Sequence, residues 1–193
     1  AVVPLSPELP APARQKALAQ LPPTWVNAED LVDEAPPQPK NLDSIWAVIF
    51  SSGSSGEPKG VALSGRALRA SAEAHAQHSG AAHWLLNLPL THIGGFSVVS
   101  RAFFLGTDVS VAGPRFQAAE TVRWLRDGKI SGLSLVPTTL KRFLAEPEIP
   151  AAQLRTVLVG GGPVENALLR EGLERGLPLR ATYGLTENCS QAA

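Results

Sequence analysis

Residues 45–60 read IWAVIFSSGSSGEPKG. The apolar run 45–51 has the length and character of a buried strand. It runs directly into 51–60, which holds four Ser, three Gly and one Lys. Glycine lets the backbone turn with positive φ and come close to a ligand. The N–H groups and Ser hydroxyls exposed in this way form a nest for phosphate oxygens. Lys59 adds a mobile positive charge, and Pro58 stiffens the exit. The loop is not a Walker A sequence, because GxxxxGK followed by Ser or Thr needs Gly where Pro58 stands and Ser or Thr where Gly60 stands. It is not GxGxxG either. A flexible Gly/Ser linker is the alternative, but a linker would not sit between a strand and a helix.

On the N-terminal side the composition changes. Nine of the 17 prolines fall in the first 39 residues. Residues 1–40 are therefore expected to form a mostly irregular Pro-rich arm, with one short helix at 12–20. The acidic run Glu29, Asp30, Asp33 and Glu34 reads as a solvated face. From 42 onward, apolar runs alternate with helix-like stretches. Strands are expected at 45–51, 84–88, 107–112, 131–136, 155–159 and 178–183, and helices at 64–79, 93–105, 117–127, 138–145 and 164–175. Ser64 suits an N-cap and Gly176 a stop. Repeated strand-then-helix units predict an α/β fold, a parallel sheet flanked by helices.

The whole chain sets further bounds. Its 193 residues, 44% of them hydrophobic, can hold a sizeable core. Lys+Arg and Asp+Glu both number 17, which gives no support to a nucleic-acid partner or a polybasic membrane surface. A single cysteine, Cys189, excludes an intrachain disulfide framework and a CxxC zinc site; it reads as a small buried residue in a reducing compartment. No apolar run approaches about 18 residues, so no membrane span is expected. The opening AVVPLSPELP lacks the pattern of a signal peptide, and a cytoplasmic location is expected. There is no Met, which suggests a trimmed chain or a segment of a longer one.

Three more stretches carry chemistry. In LPLTHIGGFSVVSR (88–101), Pro89 ends a strand, and His92 follows at the C-terminal edge where open parallel sheets bind ligands. Gly94 and Gly95 would leave room beside the backbone. Arg101 lies nine residues on, along a helix from which it could hold a carboxylate bidentately; a surface Arg is the plainer alternative. RTVLVGGGPVE (155–165) runs from a strand into three Gly, which suits close approach to a flat ligand or merely a tight turn. TYGLTENCSQ (182–191) offers the aromatic face of Tyr183, the hydroxyl of Thr186 and the carboxylate of Glu187. Oxygen ligands of this kind suit Mg²⁺ shared with substrate phosphates. His75, His78 and His83 lie on or just after an exposed helix and receive no role.

Taken in order, SSGSSGEPKG, LPLTHIGG, VLVGGGP and TYGLTE resemble the adenylate-forming acyl/aryl-CoA ligase superfamily over about residues 45–193. HIGGFSVVSR, SLVPTTLKRFL, LVGGGPV and YGLTENCSQ are most similar to its o-succinylbenzoate–CoA ligases of menaquinone biosynthesis. The resemblance implies the central part of such an enzyme's N-terminal domain. Residues 41–193 would be the AMP-binding core, without a counterpart of the family's C-terminal domain.

It also implies roles. Ser51, Ser52, Gly53, Ser54, Ser55, Gly56 and Lys59 would grip the ATP phosphates. Gly161, Gly162 and Pro163 would border the adenine, and Tyr183 with Gly184 would lie against it. Thr186 would touch phosphate and Glu187 would hold Mg²⁺. His92 would sit near the reacting carboxylate, and Arg101 would engage the distal carboxylate of a succinylbenzoyl acid. Lys59, His92, Thr186 and Glu187 would be the catalytic set. The reaction implied is attack of the acid on the ATP α-phosphate, giving an acyl-adenylate, followed by transfer to CoA. Other aryl- or fatty-acyl-CoA ligases, or a nucleotide-binding module without turnover, are the alternatives. The implied partners are a small acid, ATP and CoA, and a homo-oligomer is compatible with them.

Overall fold

The computed structural model describes residues 2–5, 10–19, 41–52, 58–113 and 115–191. Along the chain run α1 (Ala11–Leu18), β1 (Ile45–Ser52), β2 (Pro58–Ser64), α2 (Gly65–Ser79), β3 (His83–Leu86), α3 (Ile93–Leu105) and β4 (Asp108–Val111). They are followed by α4 (Ala118–Arg126), β5 (Gly132–Leu135), α5 (Pro137–Leu144), β6 (Thr156–Val159), α6 (Asn166–Glu174) and β7 (Leu179–Ala181). Strands β3 to β7 form one parallel sheet in the order β4-β3-β5-β6-β7. Parallel neighbours need a crossover, and α3, α4, α5 and α6 supply one each. The expected α/β architecture is present, with strands one to three residues shorter than the apolar runs suggested.

The strand sequences assign the two faces. Side chains alternate along a strand. Leu85, Leu133, Leu135, Val157 and Val159 point to one side, into a core with Val122, Leu125, Leu140 and Phe143 from α4 and α5. Each such side chain, fully buried, stabilises the fold by roughly 1.5–3 kcal/mol. Trp84, Leu86 and Leu158 point to the other side, where they meet Val98 of α3. On that side β5 presents only Gly132 and Ser134. A Cβ on Gly132 would lie 2.7 Å from the Trp84 indole, so the glycine makes room for the large ring. No helix among the described residues is long and apolar enough to cross a membrane.

One expectation fails here. The first strand does not join the parallel sheet. It pairs antiparallel with β2, an unanticipated strand, in a separate two-stranded sheet, with Val48 opposite Ala62 and Ser51 opposite Lys59. β1 is therefore followed in sequence by a paired strand and not directly by a helix. PKGVALS masks its strand character with Pro, Lys and Gly. Gly60 keeps the ladder uncrowded, since a Cβ would lie 3.2 Å from both the Phe50 and Val48 side chains. Val2 adds a parallel bridge to Ala47 beside the hairpin. The expected short helix exists as α1, but residues 20–40 of the Pro-rich arm lie outside the described residues.

The Ser64 N-cap is present. Ser64 is extended (φ −78°, ψ 156°), and its side chain accepts a hydrogen bond from the Ala67 N–H at 3.2 Å. Ser64→Ala is expected to destabilise the chain by about 1 kcal/mol, read as a lower urea midpoint at unchanged slope. Gly176 (φ +76°) follows the Arg175 C-cap of α6, as a helix stop should.

Candidate functional site

The C-terminal ends of β3, β6 and β7 carry the three motifs downstream of the hairpin. After β3, the chain turns through Pro89 to His92, the N-cap of α3, which is exposed and makes no side-chain capping bond. Gly95 does not leave space for a ligand as expected. A Cβ there would collide with the Pro89 and Leu88 carbonyls, so the glycine serves the tight entry into α3.

After β6, Gly160 packs against Thr182. Gly161 adopts φ +78°, and Gly162 faces open space. Gly161, Gly162 and Pro163 are all exposed. After β7 comes Tyr183, 66% exposed, so its ring is available for stacking. Gly184 is required sterically, because a Cβ would run into the Ser190 carbonyl. Thr186 and Glu187 start a 3-10 turn. The Leu185 N–H donates to Asn188 Oδ1 at 2.8 Å, and the Cys189 N–H to Thr186 O at 3.1 Å. Glu187 is exposed and forms no ion pair among the described residues, so its carboxylate is free for a cation.

Cys189 fastens this turn. It has positive φ (61°) and is 2% exposed, packed with Ile49, Leu63 and Leu68. Burial raises its thiol pKa. Ser71 of α2 donates to the Cys189 carbonyl at 3.0 Å. The hairpin and the Thr186–Asn188 turn are thus held in one cluster, and β2, which carries exposed Lys59, packs against the turn. Residues 53–57 of the loop, with Gly53, Ser54, Ser55 and Gly56, lie outside the described residues, as does the Ser52 side chain.

Arg101 is not a surface residue. It is 3% exposed, its Cζ sits 4.6 Å from the Trp84 ring centroid, and its Nη2 reaches Ser134 Oγ at 3.5 Å. Nε has no partner, and no carboxylate pairs with the guanidinium among the described residues. Burial pulls its pKa down to about 10. An unpaired buried cation is expensive, and a site of this kind suits an external anion.

Beside it, between α2 and the β6–β7 side, lies a cavity of about 380 Å³ lined in part by Ser71, His75, Leu158, Arg180, Thr182 and Gln191. Arg101 is not among its lining residues. His75 bridges the two, since it lines the cavity and its ring lies 5.2 Å from Trp84. His75, Arg180 and Gln191 were not anticipated. For His75 a signal exists in the sequence: it shares the helical spacing of buried Leu68, Ala72 and Ser79.

The AMP-binding enzyme family matches residues 1–193. A 2-succinylbenzoate–CoA ligase of Bacillus licheniformis is 35% identical over 176 residues, covering 87% of this chain and 37% of that protein. The Enterococcus faecalis enzyme of the same name is 34% identical over 159 residues, 80% of this chain and 33% of that one. The Bacillus subtilis o-succinylbenzoate CoA synthetase (MenE), solved with the acyl-adenylate intermediate OSB-AMP, superposes with TM-score 0.73 at 33% identity, over 78% of this chain and 32% of that chain. The same enzyme has been solved with ATP and magnesium ion. The chain thus spans about a third of the length of these relatives.

Proposed function

Since the chain belongs to the AMP-binding enzyme family, we propose that it provides the nucleotide- and acid-binding part of an AMP-forming acid–CoA ligase whose acid is 2-succinylbenzoate. The buried, unpaired Arg101 beside the α2–β7 cavity carries the choice of acid. A fatty-acid tail would gain nothing from a desolvated cation, whereas a second carboxylate would. The names of the B. licheniformis and E. faecalis relatives agree with this reading.

In the first step the acid's reacting carboxylate attacks the ATP α-phosphate, pyrophosphate leaves, and an acyl-adenylate forms. In the second the CoA thiol attacks the acyl carbon and AMP leaves. The chain's part is mainly placement and charge neutralisation, as in other phosphoryl chemistry. Ser51 and Ser52 at the end of β1, with Gly53, Ser54, Ser55, Gly56 and Lys59, would hold the phosphates. Gly161, Gly162 and Pro163 would border the adenine, with the exposed Tyr183 ring stacked on it beside Gly184. His92, at the exposed start of α3, would orient the reacting carboxylate.

Thr186 would donate to phosphate, and the free Glu187 carboxylate fits a single protein ligand for Mg²⁺. That ion, when bound, neutralises phosphate charge. Pyrophosphate release from ATP tests the reading. It should depend on 2-succinylbenzoate and not on benzoate or a fatty acid. Release with fatty acids alone would move the protein to another ligase class, and nucleotide binding without any release would leave only a binding module.

Glu187→Gln is expected to shift the Mg²⁺ midpoint of that release several-fold upward at saturating ATP, with partial recovery at high Mg²⁺. Gln keeps the shape but loses the charge a hard dication prefers. A fixed midpoint combined with lower thermal stability would make Glu187 a backbone cap instead.

A further inference from the structure

One polar atom beside the α2–β7 cavity has no role in the reading above. His75 Nε2 is buried and has no hydrogen-bond partner. The rest of the ring is firmly held. Nδ1 lies 3.1 Å from Gln191 Oε1. The ring tilts at 59° against Trp84, the indole that also carries Arg101. A buried polar nitrogen without a partner destabilises the fold, and on a residue that lines a cavity it is a place where a ligand can make the missing bond.

His75 is neutral at physiological pH. Burial first, then the charge of Arg101, pulls its pKa down to about 4. Arg180 on β7 and His78 on α2 push the same way, against the Gln191 hydrogen bond. A neutral imidazole offers one N–H and one lone pair.

Resting on the acid assignment above, we propose that His75 determines specificity: its Nε2–H donates a hydrogen bond to the distal carboxylate of a dicarboxylic acid seated in the α2–β7 cavity. Arg101 stands behind it and supplies positive potential in a low-dielectric region. This arrangement explains how Arg101 can serve the cavity without lining it. With Gln191 Oε1 facing Nδ1, the proton sits on Nδ1. When the acid enters, the Gln191 amide turns over and its NH₂ donates to Nδ1. The proton then leaves Nδ1 for solvent, and solvent returns one to Nε2. The two amide orientations have the same shape, and the exchange takes up no net proton. Gln191 is thereby a positioning residue for the ring.

The test is calorimetric binding of two acids to the full chain: 2-succinylbenzoate, and 4-oxo-4-phenylbutanoate, which is the same acid without its ring carboxylate. His75→Leu should weaken the dicarboxylate about tenfold, the worth of one hydrogen bond to a charged group, and leave the monoacid within about twofold. His75→Gln, which keeps an N–H donor, should recover most of the loss. Wild-type affinity for the dicarboxylate should stay flat between about pH 6 and 8.

Equal losses for both acids, or no loss for either, overturn the proposal, and so does an affinity that climbs as pH falls in the wild type but not in His75→Leu, since the His75 ring, and not His78 on the same cavity wall, would then bind as a cation. Should the leucine variant not fold, His75→Asn, too short to reach, takes its place. Arg101→Leu separates the two levels. If it leaves the dicarboxylate untouched, the acid assignment itself falls; if it discriminates while His75→Leu does not, only the role of His75 falls.

Discussion

Arg101→Leu should weaken 2-succinylbenzoate binding by ten- to a hundredfold and, at the same time, leave the chain as stable as before or more so. The loss follows from removing a positive charge whose potential at the acid's second carboxylate, several ångströms away in an effective dielectric of about 20, is worth roughly 1.5–3 kcal/mol. The stability follows from the cost of the charge. Arg101 is 3% exposed, lacks an ionic partner among the described residues, and has its pKa lowered to about 10 by burial. A cation whose folded pKa lies below its unfolded one destabilises the fold at every pH below about 10, and the penalty fades as pH rises beyond that. At neutral pH the whole penalty is present. Leucine removes it, at the expense of the contact with Trp84. Binding and a thermal melt, followed together with MgATP affinity as a control, decide the matter. A melting temperature several degrees lower, with acid binding intact, would make Arg101 a structural residue.

Trp84→Ala should cost about 3–5 kcal/mol, the range for truncating a buried aromatic. Trp84 is 1% exposed and fills the space that Gly132 leaves open, against Ala81, Val98 and Leu158. It also supports both Arg101 and His75. Small domains keep only about 5–15 kcal/mol in hand, so the variant should be partly unfolded under mild denaturant. Trp84→Phe should lose less than half as much. A urea series reads both, and a loss under about 1 kcal/mol for the alanine variant would contradict the packing described here.

The parallel sheet was legible because its strands, HWLL, GLSL and TVLV among them, are short apolar runs between helical stretches, and burial on both faces leaves that pattern. Gly176 and Ser64 could be read as punctuation because their roles are local. β2 was hidden because a strand in a two-stranded hairpin needs little apolar character; Lys59 and Gly60 belong to its ladder but look like loop. The motifs after β3, β6 and β7 could be found since strand ends determine where they lie. His75 could not be assigned a role from its spacing alone. Facing inward is common to core and site residues, and only the unpartnered Nε2, the neighbouring Arg101 and the cavity distinguish the two. Gln191 carries no local signal, because its contact with His75 spans more than a hundred residues.

Cys189 provides a clock. It is the chain's single thiol, 2% exposed, and it seals the turn that carries Thr186 and Glu187 against the hairpin. A reagent can reach its sulfur only when that turn lifts away, and the raised pKa keeps the thiolate scarce meanwhile. The rate of alkylation therefore counts local openings of the turn and not the chemistry of the thiol. Any ligand that bridges the turn and the hairpin must slow that rate by the factor by which it holds them closed, so alkylation of one native side chain can report occupancy of the proposed nucleotide site without an introduced probe.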